Sequence, residues 1–264
     1  MKQPEYLKFL IRNIYLRCSD FALKKQRDVI FEKRVVEGIY NIPIYVISYN
    51  RLSYVSQFVQ QLERYHLTNI HIIDNCSTYP PLLEYYKNCP YDVIYMKENL
   101  GHMVFWKSDL FSEVRKDFYV VTDPDLEFVE ACPDDFMEFL FQKLWKYPFV
   151  RKIGLSLKID DLPENGCITK EALEWEKQYQ KYYLKKDNLF IAGVDTTFAL
   201  YLPDPLVKRQ KFLRAFRTGM PYQMRHLPWY KTKEELTEED YYYSVHKANG
   251  WFDPVKGFNP DDET

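Results

Sequence analysis

The segment YVVTDPDLEF (residues 119–128) joins a short apolar run to two aspartates, Asp123 and Asp125, with Pro124 between them. Its β-branched and aromatic residues favour a buried strand. Carboxylates at positions i and i+2 of an extended chain lie on the same side of it. Two such carboxylates repel each other unless a cation lies close by, so the pattern suits a divalent metal site. Asp-Pro-Asp also suits a turn, and the motif alone leaves both interpretations open.

Strand-like segments at regular intervals precede this one. They are IPIYVIS (42–48), NIHIIDN (69–75) and DVIYM (92–96). The intervening segments place apolar residues at helical spacing, most clearly between residues 52 and 65. Strands that alternate with helices indicate parallel, right-handed connections. We therefore predict an α/β fold with a mainly parallel central sheet and helices on both faces.

The later part of the chain continues with less regular patterns. The predicted elements are a helix at 134–147, a strand at 152–159, a helix at 170–185, two β-segments within 190–203 that meet at Asp195, a helix at 207–217, a loop at 218–230 and a last helix opened by Thr237. We divide the chain into an N-terminal helical arm (1–40), one domain (41–250) and an extended or loose tail (251–264).

Composition excludes several classes of protein. In 264 residues, 46% hydrophobic content supports a packed core, and a net charge of −2 gives no reason to expect nucleic acid as a partner. Five scattered cysteines without CxxC spacing argue against disulfides and zinc. No apolar run is long enough to cross a bilayer, and no signal-peptide cleavage pattern follows the N-terminal segment. We expect a cytoplasmic protein.

The N-terminal arm carries an apolar stripe flanked by basic residues. The stripe consists of Tyr6, Phe9, Leu10, Ile14 and Leu16. A helix of this kind can pack on its own domain, reach a second subunit in a homodimer, or make peripheral contact with an anionic membrane at its inner face. The sequence leaves these three possibilities open.

Polar residues follow each strand of the first half. They are Tyr49-Asn50-Arg51, Asp74-Asn75, Asn99 to Gly101, and the pair Asp123 and Asp125. Ligands of open α/β sheets bind beyond the carboxyl ends of the strands, so these residues mark a candidate site. Neither GxxxxGK[ST] nor GxGxxG is present. A nucleotide diphosphate held through a metal would need no such glycine loop.

The segments IPIYVISYNR (42–51), IHIIDNCS (70–77), ENLGH (98–102) and YVVTDPDLEF resemble the nucleotide-binding half of a family 2-like, A-type glycosyltransferase. GVDTTFALY (193–201) and RTGMPYQMRHLPWY (217–230) are similar to a bacterial subgroup associated with surface polysaccharide, such as lipopolysaccharide or capsule. The resemblance covers residues 40–245 in order. It implies the A-type transferase fold, with a nucleotide-binding half (41–130) and an acceptor half (131–250).

The resemblance also implies roles for individual residues. The implied donor-binding residues are Tyr49, Asn50, Arg51, Asp74, Asn99, Gly101, Asp123 and Arg225. Asp125 and His226 would bind Mn²⁺ or Mg²⁺, with a diphosphate contact or a partly buried position in a proline-containing turn as the alternatives for His226. Asp195 would be the catalytic base, with a capping aspartate as the alternative. Trp229 and Tyr230 would stack on an acceptor sugar, with a place in the core as the alternative.

These expectations combine into a metal-dependent transferase that moves a sugar from a nucleotide-diphosphate donor, such as a UDP-sugar, to a saccharide or lipid-linked acceptor with inversion. One alternative is a non-catalytic or assembly protein that keeps the fold. A second is a sugar-1-phosphate nucleotidyltransferase, which would need a glycine-rich loop after the first strand; YNRLSYVSQ (49–57) contains no glycine.

Overall fold

A nine-stranded β-sheet forms the centre of the protein, in a computed structural model that describes residues 27–147, 150–203, 215–247 and 252–258. The helices are α1 (27–37), α2 (Leu52–Arg64), α3 (Pro80–Asn88), α4 (Val104–Lys107), α5 (Leu110–Val114), α6 (Phe136–Lys146), α7 (Lys170–Lys177), α8 (Leu227–Tyr230) and α9 (Glu238–His246). The strands are β1 (Ile44–Ser48), β2 (Ile70–Asp74), β3 (Asp92–Tyr95), β4 (Tyr119–Thr122), β5 (Leu126–Phe128), β6 (Lys152–Gly154), β7 (Ser156–Leu157), β8 (Tyr183–Leu184), β9 (Leu189–Ile191), β10 (Ala199–Tyr201), β11 (Ala215–Thr218), β12 (Gln223–His226), β13 (Phe252–Asp253) and β14 (Gly257–Phe258).

The first four strands form a parallel half-sheet in the order β3-β2-β1-β4. Successive side chains point to opposite faces, so Ile44 and Val46 join one hydrophobic core while Tyr45 and Ile47 join the other. Because helices cover both faces, the two strands of this half nearest the centre of the sheet, β1 and β4, are buried along their whole length. The strand–helix alternation predicted for this half is confirmed.

The other half of the sheet is mixed, so the prediction of a mainly parallel sheet is wrong for the sheet as a whole. Strand β10 lies antiparallel between β4 and β6, β11 is parallel to β6, and β9 is antiparallel to both β11 and β8. Parallel pairing needs a long crossover connection, whereas β8 and β9 are joined by a short turn. Asn188 in that turn has a φ of 55°, which asparagine tolerates better than most residues.

A second, three-stranded sheet in the order β5-β12-β7 lies beside the first. In the described residues the chain passes from the large sheet to the small one three times, once between β11 and β12 and twice through shorter links. The shorter links run between β4 and β5 through Asp123-Pro124-Asp125, and between β6 and β7 through Leu155. Proline cannot donate to a strand ladder, which suits Pro124 to a point where pairing stops. The two aspartates therefore occupy a junction between sheets.

Helices pack on both faces of the large sheet, as predicted. On one face, Phe58 of α2, Leu82 of α3 and Leu140 of α6 belong to a single hydrophobic core. On the other face, Phe105 of α4 and Phe111 of α5 pack against residues of β1 and β4. The cost of exposing either set of side chains to water fixes the sheet between two helical layers.

Several predicted elements differ from those observed. The predicted helix at 170–185 ends at Lys177 and is followed by a 3₁₀ turn and β8. The predicted helix at 207–217 is wrong for 215–217, which lie in β11; residues 204–214 are outside the described part. The predicted loop at 218–230 contains β12 and α8. Strands β11 and β12 pair with strands distant in sequence, which local periodicity does not reveal, whereas β8 pairs with its sequence neighbour β9.

The two terminal regions are described only in part. Residues 1–26 lie outside the described residues, as does the membrane or dimer contact predicted for them. Residues 27–37 form α1, where Phe31 packs against Phe118 and Phe141. Within the tail predicted to be extended or loose, residues 252–258 form a hairpin of two short strands, so this part is extended and paired. Among the described residues, no helix combines the length and apolar character that crossing a bilayer requires.

Candidate functional site

A cleft of about 310 Å³ lies at the carboxyl ends of β1, β2 and β4, beside the junction between the two sheets. The side chains of the Asp-Pro-Asp junction, the start of α2, the segment before β10 and the end of β12 meet there. Its wall includes Tyr49, Arg51, Asn75, Asn99, Gly101, His102, Asp123, Asp125, Trp175, Glu176, Tyr179, Gly193, Asp195, Arg217, His226, Trp229 and Tyr243.

The pairing of β12 with β5 brings His226 to Asp125. In this antiparallel pair His226 lies opposite Leu126, and the backbone N–H of Leu227 donates to the carbonyl of Asp125 over 2.9 Å. The His226 Nε2 consequently lies 3.4 Å from Oδ2 of Asp125. A histidine about one hundred residues downstream is thus adjacent to the second aspartate of the motif.

Arg51 lies on the other side of Asp125. It precedes α2, is 6% exposed at its side chain, and donates from Nη1 to Asp125 Oδ2 over 3.1 Å. Its guanidinium also lies 3.8 Å from the ring centroid of Tyr243 on α9. Burial alone would raise the pKa of Asp125, but His226 and Arg51 outweigh it and hold that pKa below its ordinary value.

Asp123 has the opposite electrostatic environment. Burial, followed by the charge of Asp125, raises the pKa of Asp123 well above its ordinary value. Thr196 donates a short hydrogen bond from Oγ1 to Asp123 Oδ2, and the Asp123 N–H donates to the Thr196 carbonyl over 2.8 Å. Asp123 is therefore tied to the segment before β10, whereas Asp125 contacts Arg51 and His226.

The segment Gly193–Thr196 is fixed by bonds to three other elements. Arg217 Nε donates to the Gly193 carbonyl over 2.6 Å, and Lys152 Nζ donates to the Val194 carbonyl over 2.5 Å. Burial lowers the pKa of Lys152 to about 8, against the opposing effect of Asp195. Asp195 itself is exposed on the cleft wall. The backbone around this carboxylate is thus held while the side chain stays accessible to a ligand.

The residues around Asp125 fit a divalent cation that would take its remaining ligands from phosphate or water. Asp125 Oδ1 is buried and accepts no hydrogen bond from any residue that the structure describes, so it has an unused acceptor site. Within the described ranges, no three His, Cys, Asp or Glu side chains form a complete metal site. Carboxylates combined with substrate phosphates are the usual arrangement for Mg²⁺.

Three further predicted residues line the cleft: Tyr49, which follows β1, and Asn99 and Gly101 in the turn that follows β3. Asn75 Nδ2 donates to Asn99 Oδ1 over 2.9 Å and to the Gly101 carbonyl over 3.0 Å. Gly101 has a φ of 70°, a backbone conformation that favours glycine. Tyr49 lies nearby, and its hydroxyl donates to the carbonyl of His246 over 2.6 Å.

Asn50 and Asp74 are buried behind the cleft wall rather than on it. Asn50 Oδ1 accepts from the backbone N–H groups of Thr78 and Tyr79, over 2.7 and 2.9 Å. Asp74 accepts from the Ser77 N–H over 3.2 Å and is 3% exposed. The structure gives both side chains a part in shaping the loops, and their predicted donor contacts stay predictions.

Arg225, Tyr230 and Trp229 also differ from expectation. Arg225 Nη2 donates to Asp161 Oδ2 over 2.7 Å, and Tyr230 donates to Asp161 Oδ1 over 2.6 Å, both outside the cleft wall. Trp229 reaches the wall but is 0% exposed and belongs to the core. The position of Trp229 therefore agrees with the alternative prediction, a place in the hydrophobic core.

The sequence reasoning missed several residues of the wall. They are His102, Trp175, Glu176, Tyr179, Arg217 and Tyr243, whereas Asn75 is part of the predicted candidate site without a role of its own. His102 adjoins a predicted residue, so a wider window would have included it. Tyr243 and Arg217 reach the cleft only through tertiary packing of α9 and β11, for which the sequence carries no local signal.

A scan of the chain against protein-family models and a search of curated proteins both returned no match.

Proposed function

We propose that this chain is a metal-dependent glycosyltransferase with the A-type transferase fold, which uses a nucleotide-diphosphate sugar such as a UDP-sugar. The observation that carries the proposal is the contact of Asp125 with His226 and Arg51, beside Asp123, in a cleft at the carboxyl ends of parallel strands. A carboxylate pair beside a guanidinium and an imidazole suits a ligand that combines a metal with phosphate oxygens.

In this proposal the donor lies along the strand ends. Its nucleoside contacts the side formed by Tyr49, Asn75 and the turn at Asn99 to Gly101, and its diphosphate lies toward Arg51 and His226. Asp125 and His226 hold Mn²⁺ or Mg²⁺. When bound, the metal neutralises charge that develops on the diphosphate leaving group.

Asp195 acts as the base in this proposal. The acceptor hydroxyl oxygen bonds to the anomeric carbon as the bond from that carbon to the diphosphate breaks, and Asp195 takes the hydroxyl proton. Arg217 and Lys152 hold the backbone on which Asp195 stands, so the carboxylate needs little reorganisation. Direct displacement of this kind inverts the anomeric centre. The acceptor is a saccharide or a lipid-linked glycan, and the cytoplasmic location stays a prediction.

The sugar-1-phosphate nucleotidyltransferase receives less support. Such an enzyme needs a loop that closes around a triphosphate, and Tyr49-Asn50-Arg51 between β1 and α2 has no glycine. A non-catalytic protein would bind the same donor without turnover, so binding and transfer have to be measured separately.

Isothermal titration calorimetry with UDP, with and without Mn²⁺, tests the proposal. We expect binding that depends on Mn²⁺ and is at least about tenfold weaker in Asp125→Asn, because one metal ligand is lost. Glu127→Gln is the matched control, since Glu127 lies two residues away on β5 and bonds to Gln57 outside the cleft. Equal Mn²⁺-dependent binding by Asp125→Asn and the wild type would contradict the metal assignment, and absence of UDP binding would contradict the donor.

A further inference from the structure

Two aromatic side chains of α7 and the turn after it form one wall of the cleft. Trp175 and Tyr179 are four residues apart, a spacing that places side chains on one side of a helical segment. Both are half-buried and line the cleft, with ring centroids 6.4 Å apart and planes inclined by 77°. Thr169 accepts from the Ala172 N–H and caps the start of this helix, which fixes the position of the wall.

A buried ion pair joins this aromatic wall to the segment that carries Asp195. Arg217 donates a short hydrogen bond to Glu176, and their side chains are 4% and 3% exposed. The Arg217 guanidinium also lies 4.0 Å from the ring centroid of Tyr179. Removing two charged groups from water costs free energy, so a buried ion pair is often no more stabilising than apolar residues of similar volume. Whatever its net contribution to stability, the pair places a carboxylate and a guanidinium on the cleft wall beside the two rings.

Gly193 leaves open space next to Arg217. A Cβ built on Gly193 would have no heavy atom within 4 Å, and the residue is exposed on the cleft wall. Its backbone lies outside the positive-φ region, so a side chain at this position would cause no strain. The missing side chain therefore leaves room for a ligand two residues from Asp195.

We propose that Trp175, Tyr179, Glu176, Arg217 and the space at Gly193 form a subsite for a pyranose ring. Aromatic faces suit the apolar C–H face of a pyranose, and planar carboxylate and guanidinium groups suit pairs of its hydroxyls. This inference deepens the proposed function, on which it rests for its connection to sugar transfer. The ring belongs either to the acceptor or to the donor sugar, and the two sources can be separated by experiment.

Saturation-transfer NMR on the full chain, with methyl gluco-, galacto- and mannopyranosides as probes, tests the subsite. We expect at least one pyranoside to bind, with affinity reduced about tenfold in Trp175→Ala through loss of the stacking face. Gly193→Leu should abolish binding by filling the space, while its thermal unfolding stays close to that of the wild type. Tyr182→Ala is the control, because Tyr182 is an aromatic residue 69% exposed and outside the cleft wall.

The same variants separate the two sources of the sugar. If the ring belongs to the donor, Trp175→Ala and Gly193→Leu weaken binding of UDP-sugar while binding of UDP is unchanged. If the ring belongs to the acceptor, the two variants weaken binding of the methyl pyranoside and leave binding of UDP-sugar unchanged. The inference is overturned if both variants bind pyranosides and UDP-sugars with the affinity of the wild type. It is also overturned if the wild type binds no pyranoside and binds UDP-sugar no more tightly than UDP.

These outcomes are distinct from those of the proposed function. Pyranoside binding that depends on Trp175 and Gly193, without any UDP binding, would leave a carbohydrate site but reject the transferase. Mn²⁺-dependent UDP binding with unaffected sugar binding in both variants would leave the donor site and reject this subsite.

Discussion

Asp123 and Asp125 have different environments although only one residue separates them. Asp125 contacts Arg51 and His226, which hold its pKa low, whereas Asp123 is half-buried against Thr196 and has a raised pKa. Two neighbouring carboxylates that are largely removed from water cannot both carry full charge without nearby cations. The surroundings therefore favour the ionised form of Asp125 over that of Asp123, and this is why we propose Asp125 as the metal ligand.

Asp195→Asn tests the base at the scale of one residue. We expect kcat for sugar transfer to fall about 10²–10⁴-fold, because the amide cannot take the acceptor proton. Binding of UDP in calorimetry should be unchanged. Asp160→Asn, at an exposed aspartate outside the cleft, is the control. An Asp195→Asn enzyme with wild-type kcat would remove Asp195 from the mechanism.

Gly154→Ala tests how tightly the segment of Asp195 is packed. An added Cβ would lie 2.5 Å from Val194 Cγ1 and 3.0 Å from the Thr197 carbonyl oxygen, so the segment has to move. We expect a loss of about 1–3 kcal/mol in the free energy of unfolding, measured in urea. Gly193→Ala is the control, since its Cβ meets open space. Equal stability of the two variants would show that Gly154 does not constrain this segment.

At the scale of elements, the β8–β9 turn is attached to α6 through Asp187. Lys146 and Tyr147 donate short hydrogen bonds to its carboxylate, and Lys143 Nζ donates over 3.0 Å. The bonds from Lys146 and Tyr147 are the main reason that the pKa of Asp187 lies well below its ordinary value. A carboxylate with a depressed pKa stabilises the folded state above its unfolded pKa and loses that effect as pH falls.

We expect Asp187→Asn to lower the free energy of unfolding at pH 7 by about 1–3 kcal/mol. The difference from the wild type should shrink once the pH falls below about 4, where the unfolded carboxyl is protonated. Urea unfolding at pH 7 and pH 3 measures both values. The same loss of unfolding free energy at both pH values would contradict the electrostatic origin. Asp134→Asn, at an exposed aspartate, is the control and should unfold with nearly the wild-type free energy at either pH.

Strand geometry also explains which site residues the sequence could identify. The elements of the first half were predictable because each strand and helix has its own periodicity. Arg225 and His226 were assigned together, yet adjacent residues of a strand point to opposite faces, so only His226 faces Asp125. Recognising β12 as a strand would have separated them, but it is four residues long and its apolar pattern is weak.

At the scale of the molecule, the site depends on where the chain passes between two sheets. Strands β4 and β6 belong to the large sheet and their continuations β5 and β7 to the small one, with β12 between those continuations. This arrangement joins residues 123–125 to His226 across about one hundred residues of sequence. Pairings this distant are decided by tertiary packing, which is why neither the mixed sheet nor the contribution of Arg217 and Tyr243 followed from local patterns.

We propose above that Asp125 holds a metal against a nucleotide diphosphate in this cleft. Crystals grown with UDP and Mn²⁺, measured for the anomalous signal of manganese, test it most directly. We predict one anomalous peak about 2.2 Å from a carboxylate oxygen of Asp125, next to the diphosphate of UDP. Bound UDP without a manganese peak at Asp125, or UDP bound elsewhere on the protein, would contradict the account.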